Sequence, residues 1–290
     1  MKDYIIISDA TADLSPQLIE ELKVDIIPME FAVSEDTRLY YPDFREMPIK
    51  DFYSRVRAGE ETSTAQIKLV DFERIFRSYL EQGKDILYIA FSSGLSGTYN
   101  TSLLVKDHLL AEFPDAKICC VDSLSASMGE GLLVYYAAQQ KEAGLSVEEL
   151  AAYLEVQKYR ICHWFNVDDL YHLKRGGRCS AMAAFAGSLL NIKPILKFDE
   201  YGHMIPIYKV RTCKKILDTM VQEIENTAID ISSQTVYISH ADNYEMANKL
   251  AEMIKEKFQP PRIEISYIGP VIGSHVGGGT IALFFVAEHR

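Results

Sequence analysis

Short apolar runs alternate with longer amphipathic segments through the first half of the chain. Residues 4–7, 86–90 and 117–121 have the length and the β-branched or aromatic content of buried parallel strands. Between them, helical spacing recurs. Pro16 opens a segment carrying Leu18, Ile19 and Leu22, and Phe52, Tyr53 and Val56 mark a second that ends near Gly59. Phe72, Ile75, Phe76, Tyr79 and Leu80 define a helix over about 69–82, stopped before Gly83. Leu103, Leu104, Val105 and Leu109 mark another, and residues 129–142 a further one closed by Gly144. Ser146 with Glu149 then forms a capping box for the next. Repeated strand–helix alternation with apolar strands predicts a parallel sheet covered on both faces. Residues 24–31 read as a strand or a pair of strands broken at Pro28, 33–41 as an excursion turning at Glu35-Asp36, and 61–67 as a hydroxyl-rich link.

After about residue 160 the pattern changes. Strands are expected at 161–167, 192–198, 204–210, 235–239, 263–268 and 280–286, with 192–210 forming an antiparallel hairpin around the turn 199–202. Helices are expected at 170–173, 181–190, 212–227 and 244–258. The predicted fold class is α/β, with an N-terminal three-layer α/β/α domain over 1–158 and a C-terminal α+β domain over 159–290. A chain of 290 residues is long enough for two cores.

Composition narrows the function classes. The net charge of −11 disfavours polyanions, so nucleic-acid binding is not expected. Cys119, Cys120, Cys162, Cys179 and Cys213 form no CxxC pair and lack zinc spacing, so they read as thiols of a reducing cytoplasm, with no metal site. No apolar stretch approaches the roughly 18 residues of a membrane span, and the first strand is too short for a signal-peptide core.

Candidate chemistry collects in polar loops at strand ends. The run 91–100, Phe-Ser-Ser-Gly-Leu-Ser-Gly-Thr-Tyr-Asn, follows a strand where open α/β sheets place ligands, and its glycines and hydroxyls suit either an oxyanion-holding turn or a plain capped connection. Asp9 beside Thr11, and Asp122-Ser123, read as a base, a metal ligand or local turn caps. Ser93 and His275 supply a nucleophile and a base, which allows a serine hydrolase, but spacing identifies no acid and no GxSxG elbow is present. With Thr64 the same side chains could instead grip a carboxylate, which accepts hydrogen bonds only and is costly to bury without them. The glycines 277–279 form a further anion-nest candidate, and residues 174–178 lack the spacing of a nucleotide-binding loop. His163 and His240 read as structural hydrogen-bonding residues, and Trp164 and Phe165 as core.

Several of these segments together resemble the DegV family of bacterial fatty-acid-binding proteins: 9–14 (DATADL), 64–66 (TAQ), 91–99 (FSSGLSGTY), Asp122-Ser123, 173–178 (LKRGGR), 192–196 (IKPIL) and 273–277 (GSHVG). The resemblance spans nearly the whole chain. It implies a long-chain fatty acid buried between or alongside two domains, its carboxylate held by Thr64, Ser93 and His275. Thr62 and Ser63 compete with Thr64 for that role, because the family reads Thr-Ser-Gln where this chain has Thr-Ala-Gln. Gly94, Gly277 and Gly278 would shape the head-group loops, Gly278 replacing the family's usual proline. Arg175 and Arg178 match the family's basic turn, which engages the kinase partner or braces the domain junction. The family further implies a non-catalytic carrier that presents the carboxylate to a separate fatty acid kinase, which makes acyl phosphate for phospholipid synthesis. It needs no cofactor of its own. The competing readings are the hydrolase and a sugar or small-acid binder of the same fold. The small-residue helix at 181–186 and the apolar helices around Phe72 and Leu104 are the expected tunnel walls.

Overall fold

The computed structural model describes residues 3–168, 170–179 and 192–290. The expected helix at 181–190, and the tunnel wall assigned to it, lie outside the described residues. A four-stranded parallel sheet is built from β1 (Tyr4–Asp9), β2 (Asp25–Ile27), β6 (Asp85–Ala90) and β7 (Ile118–Asp122) in the order β2-β1-β6-β7. The run at 86–90 is the buried centre of this sheet, its strand shielded on every residue. Helices α3 (Leu69–Glu81), α4 (Thr98–Glu112) and α6 (Val147–Gln157) pack on it, with α1 (Pro16–Leu22) nearby. The capping box read at Ser146 and Glu149 is formed at the start of α6.

A six-stranded mixed sheet follows, in the order β10-β9-β8-β13-β11-β12. Its strands are β8 (Ile161–Asn166), β9 (Lys193–Phe198), β10 (Met204–Val210), β11 (Thr235–His240), β12 (Arg262–Tyr267) and β13 (Ile281–Val286). All neighbours are antiparallel except β11 and β12. The hairpin expected at 192–210 is the β9–β10 pair. Helices α8 (Cys213–Thr227) and α9 (Tyr244–Phe258) cover the outer face over a core that includes Trp164 and Leu283. The architecture is therefore α/β, a parallel layered unit followed by a sheet-rich α+β unit.

Between the two sheets lies α5 (Met128–Glu142). It touches β1 and β6 on one side and β8, β11 and β13 on the other. Its first turns are buried all round, from Met128 to Val134. A helix without a polar face is what such a position requires.

Two segments differ from expectation. The hydroxyl-rich link contains β5 (Thr62–Thr64), which pairs antiparallel with β3 (Met29–Val33), itself paired with β4 (Asp36–Tyr40). β-Branched threonines suit such a strand, but three residues show no period. Residues 270–276, assigned to no element by the pattern above, form α10 (Pro270–Val276), begun by Pro270 at its first position.

The hairpin tip closes onto the turn after β6. Ser92 Oγ donates to the Gly202 carbonyl at 2.9 Å, and a Cβ at Gly94 would stand 2.8 Å from the Tyr201 carbonyl oxygen and 2.9 Å from that of Gly202. Only a bare backbone fits. Gly94→Ala is expected to push the tip away and to cost about 1–3 kcal/mol in urea unfolding, with faster amide exchange confined to the tip and the 92–96 turn.

Candidate functional site

β5 and α10 build one wall of the site. Register with β3 pairs Phe31 with Thr64, Ala32 with Ser63 and Val33 with Thr62. Alternation then puts Thr62 and Thr64 on one face and leaves Ser63 exposed on the other. α10 packs against β5, β3, α2 (Ile49–Arg57) and α7 (Leu170–Gly176), and carries His275 in its last turn. His275 Nε2 lies 2.9 Å from Thr64 Oγ1. Thr62 Oγ1 donates to the Ser274 carbonyl at 3.0 Å and accepts from Arg175 Nη2 at 2.8 Å. The two threonines thus tie the strand to the helix on either side of the imidazole.

Burial pulls the His275 pKa down to about 4, and the positive charges of Arg178 and Arg175 add to the shift. The ring is therefore neutral at pH 7. Its Nδ1 is buried and has no hydrogen-bond partner among the described residues.

Thr64, His275 and Ser93 all line one cavity of about 370 Å³, within the ordinary range for ligand pockets. Met29, Phe165, Phe198, Met204, Val271 and Phe284 make much of its wall, and Gln66, Ser96 and Arg178 add polar groups. It is roofed by the hairpin, through Phe198 and Met204, and lies between the two sheets, through Phe91 and Phe284. Ser93 is held by its backbone, whose N–H donates to Asp122 Oδ1 at 3.1 Å. Asp122 accepts equally from Leu124 N, also at 3.1 Å, so this carboxylate acts as a turn brace.

The remaining sequence candidates fall elsewhere. Thr62, Ser63, Gly94 and Gly277 do not line the cavity. Gly278 and Arg175 face a separate polar cleft, which Arg57, Asp168 and Asp242 also line. Arg178, read as a partner or junction residue, forms part of the cavity wall itself. The expected walls around Phe72 and Leu104 are not walls. Phe72 is packed in the first core against Phe76 and Tyr88, and Leu104 is 63% exposed, because α3 and α4 cover the sheet's other side. Periodicity finds a buried face but does not say which neighbour it meets.

Asp9 is likewise structural, accepting from Phe91 N at 3.0 Å, Tyr88 OH at 2.8 Å and both Thr11 donors. Asp13 joins the two halves. Its carboxylate accepts from Tyr40 OH at 3.2 Å, Ser127 Oγ at 2.6 Å and Gly269 N at 2.9 Å, and its carbonyl from Ser266 Oγ at 2.8 Å. Ser127 lines the cavity and shares a hydrogen bond with Ser239 of β11, so the junction reaches the cavity wall. His240 Nδ1 accepts from Asn243 N, as expected of a structural hydrogen-bonding residue, whereas His163 is packed rather than bonded: it is stacked on Phe198, and neither ring nitrogen has a hydrogen-bond partner among the described residues.

A mostly apolar cavity with a few hydroxyl, imidazole and guanidinium groups on its wall, set among the sheets of an α/β protein, suits an amphipathic small molecule. The chain belongs to the DegV family: the family profile, described as "Uncharacterised protein, DegV family", matches residues 4–288. A DegV domain-containing protein of Clostridium perfringens is 43% identical over all of this chain and 99% of its own length. Among solved structures, the DegV fatty acid binding protein of Bacillus subtilis is 29% identical with a TM-score of 0.86, covering 99% of this chain and 100% of its own. A DegV family protein of Thermus thermophilus described by its fatty acid binding is 28% identical with a TM-score of 0.88, over the same shares. No helix among the described residues is long and apolar enough to cross a membrane.

Proposed function

We propose that this protein is a non-catalytic carrier that encloses a long-chain fatty acid in the cavity between its sheets and presents the carboxylate to a separate fatty acid kinase, which converts it to acyl phosphate for phospholipid synthesis in the cytoplasm. The observation that carries the reading is the lining of a single cavity by Thr64, Ser93 and His275, drawn from three distant segments, together with an extended apolar wall. Solved relatives described as fatty acid binding proteins support the ligand class. Burying about 15 methylenes at roughly 0.8 kcal/mol each yields a gross gain near 12 kcal/mol before the cost of ordering chain and protein. The head group adds less and fixes orientation. The sequence carries no phosphate-binding glycine motif, so the phosphoryl donor belongs to the partner. The 1–158 and 159–290 division follows from the same reading, with the ligand held where the two parts meet.

A hydrolase would need Ser93 to share a proton with His275. Instead His275 spends Nε2 on Thr64. Native mass spectrometry of the purified protein is expected to show one co-purified acyl chain of about 14–18 carbons. A protein that stays empty when offered such acids contradicts the proposal, and covalent labelling of Ser93 by a fluorophosphonate favours the hydrolase.

A further inference from the structure

His275 Nδ1 is closed off by the backbone of Gly176. A Cβ built at Gly176 would stand 2.5 Å from Nδ1, 3.3 Å from Cγ and 3.4 Å from Cβ of the imidazole. A Gly176 Cα hydrogen takes that direction, so the bare glycine backbone fills the space in front of Nδ1. An Nδ1–H would be crowded against that backbone and buried without an acceptor among the described residues, whereas an unprotonated nitrogen needs less room there. The proton of the neutral ring then resides on Nε2, 2.9 Å from Thr64 Oγ1. Nε2–H donates to Thr64, and the threonine's own O–H is left to donate into the cavity.

We infer that Gly176 is a positioning residue: its bare backbone fixes His275 as the Nε2–H tautomer, so that imidazole and threonine hydroxyl form a directed donor chain aimed at a carboxylate in the cavity. This deepens the carrier reading and rests on it for the identity of the acceptor. The basic turn thereby acquires a role besides its charges. Gly176 adjoins Arg175, whose guanidinium reaches Thr62, and Arg178 Nη1 returns to the Gly176 carbonyl at 2.6 Å. Both arginines raise the local potential and disfavour imidazolium, in the same direction as burial. Among the described residues, the other groups about α10 and its flanking glycines include Tyr53 and Arg57 of α2 (Arg57 paired with Asp242), Tyr40 and Asp13 at Gly269, His172 of α7 against Gly277, Asp168 against Gly279, and the threonines of β5. Among the described residues, the charges that act on the ring are those of Arg178 and Arg175.

The test is long-range proton–nitrogen NMR of the full-length, 15N-histidine-labelled protein without fatty acid, the His275 signals being assigned by their loss in His275→Gln. Nδ1 is expected to be pyridine-like and Nε2 pyrrole-like, both unchanged between pH 5 and 8. A pyrrole-like Nδ1, or a titration midpoint between pH 6 and 7, overturns the inference. Gly176→Ala should shift the ring toward ordinary titration and weaken palmitate binding about tenfold. Gly177→Ala is the control, since that glycine's φ is +66° yet nothing lies within 4 Å of a Cβ there. It strains the same turn and should leave the His275 nitrogens alone; equal shifts in both variants overturn the contact's role. The tautomer is read in the empty protein, so its failure is separable from failure of the carrier reading, which palmitate binding by the unaltered protein decides.

Discussion

Asp13→Ala is expected to destabilise the protein by about 3–5 kcal/mol at pH 5.5, through several stranded buried donors. The substitution strands the Tyr40 and Ser127 hydroxyls and the Gly269 N–H, each a buried donor worth roughly 1–3 kcal/mol when left unpaired. It also places alanine at a φ of 52°, a left-handed conformation that Asp tolerates better. The effect is pH-dependent in a defined sense. Burial pushes the Asp13 pKa up to about 7, and the hydrogen bonds from Ser127, Gly269 and Tyr40 only partly offset that rise. Glu130 is raised well above its usual value, by burial first and then by Asp9, and Asp9 is raised by burial. A folded pKa above the unfolded one means that the native state holds protons the unfolded chain releases. The associated stability is complete below about pH 4 and is lost as pH rises through 7. The unaltered protein should therefore unfold at lower urea at pH 8.5 than at pH 5.5. Asp13→Ala lacks its share of that loss, so its deficit should shrink at the higher pH. Urea titrations at the two pH values test both statements. Stability that climbs from pH 5.5 to 8.5 would show that these acids are ionised in the native state.

The second large effect concerns ligand. Thr64→Val, His275→Ala and Ser93→Ala are each expected to weaken long-chain fatty acid binding by about 10- to 100-fold while changing the unfolding free energy by no more than about 1 kcal/mol, as losses of hydrogen bonds to a charged group do. Thr64→Val keeps the β-branched shape that β5 requires and removes only the hydroxyl. Because Thr64 and His275 share one hydrogen bond, the double variant should lose less than the sum of the single losses. Isothermal titration with palmitate measures all four proteins. Unchanged affinity across the set removes these side chains from the head-group role, whatever the apolar wall binds.

Much of this arrangement was legible in the sequence because it rests on local chemistry. The strand at 86–90, the glycine-bearing turn after it, the capping box at Ser146 and the 192–210 hairpin all announce themselves through runs, periods and turn residues. The fold class followed from their alternation. Thr64, Ser93 and His275 could be named individually, but nothing in their spacing says that β5 carries one to within hydrogen-bond distance of another 211 positions away. β5 is too short for a pattern, and α10 is hidden by its glycines and Pro270. The misreading of Phe72 and Leu104 as tunnel wall has the same origin, since an apolar stripe does not name what it packs on. Arg178 and Gly176 stood out only as parts of the basic turn 173–178, whereas their contacts with the cavity and with the imidazole are purely tertiary.

The position of α5 carries a lesson for anyone recombining members of this family. One helix answers to two β-sheets at once, so its buried first turns are fitted to partners on opposite sides. A chimera that took one sheet from each of two relatives would have to inherit this helix together with both of its sockets. The lobes are thus poor interchangeable parts, and changes in binding preference are more readily made by editing the walls of the chamber than by swapping halves.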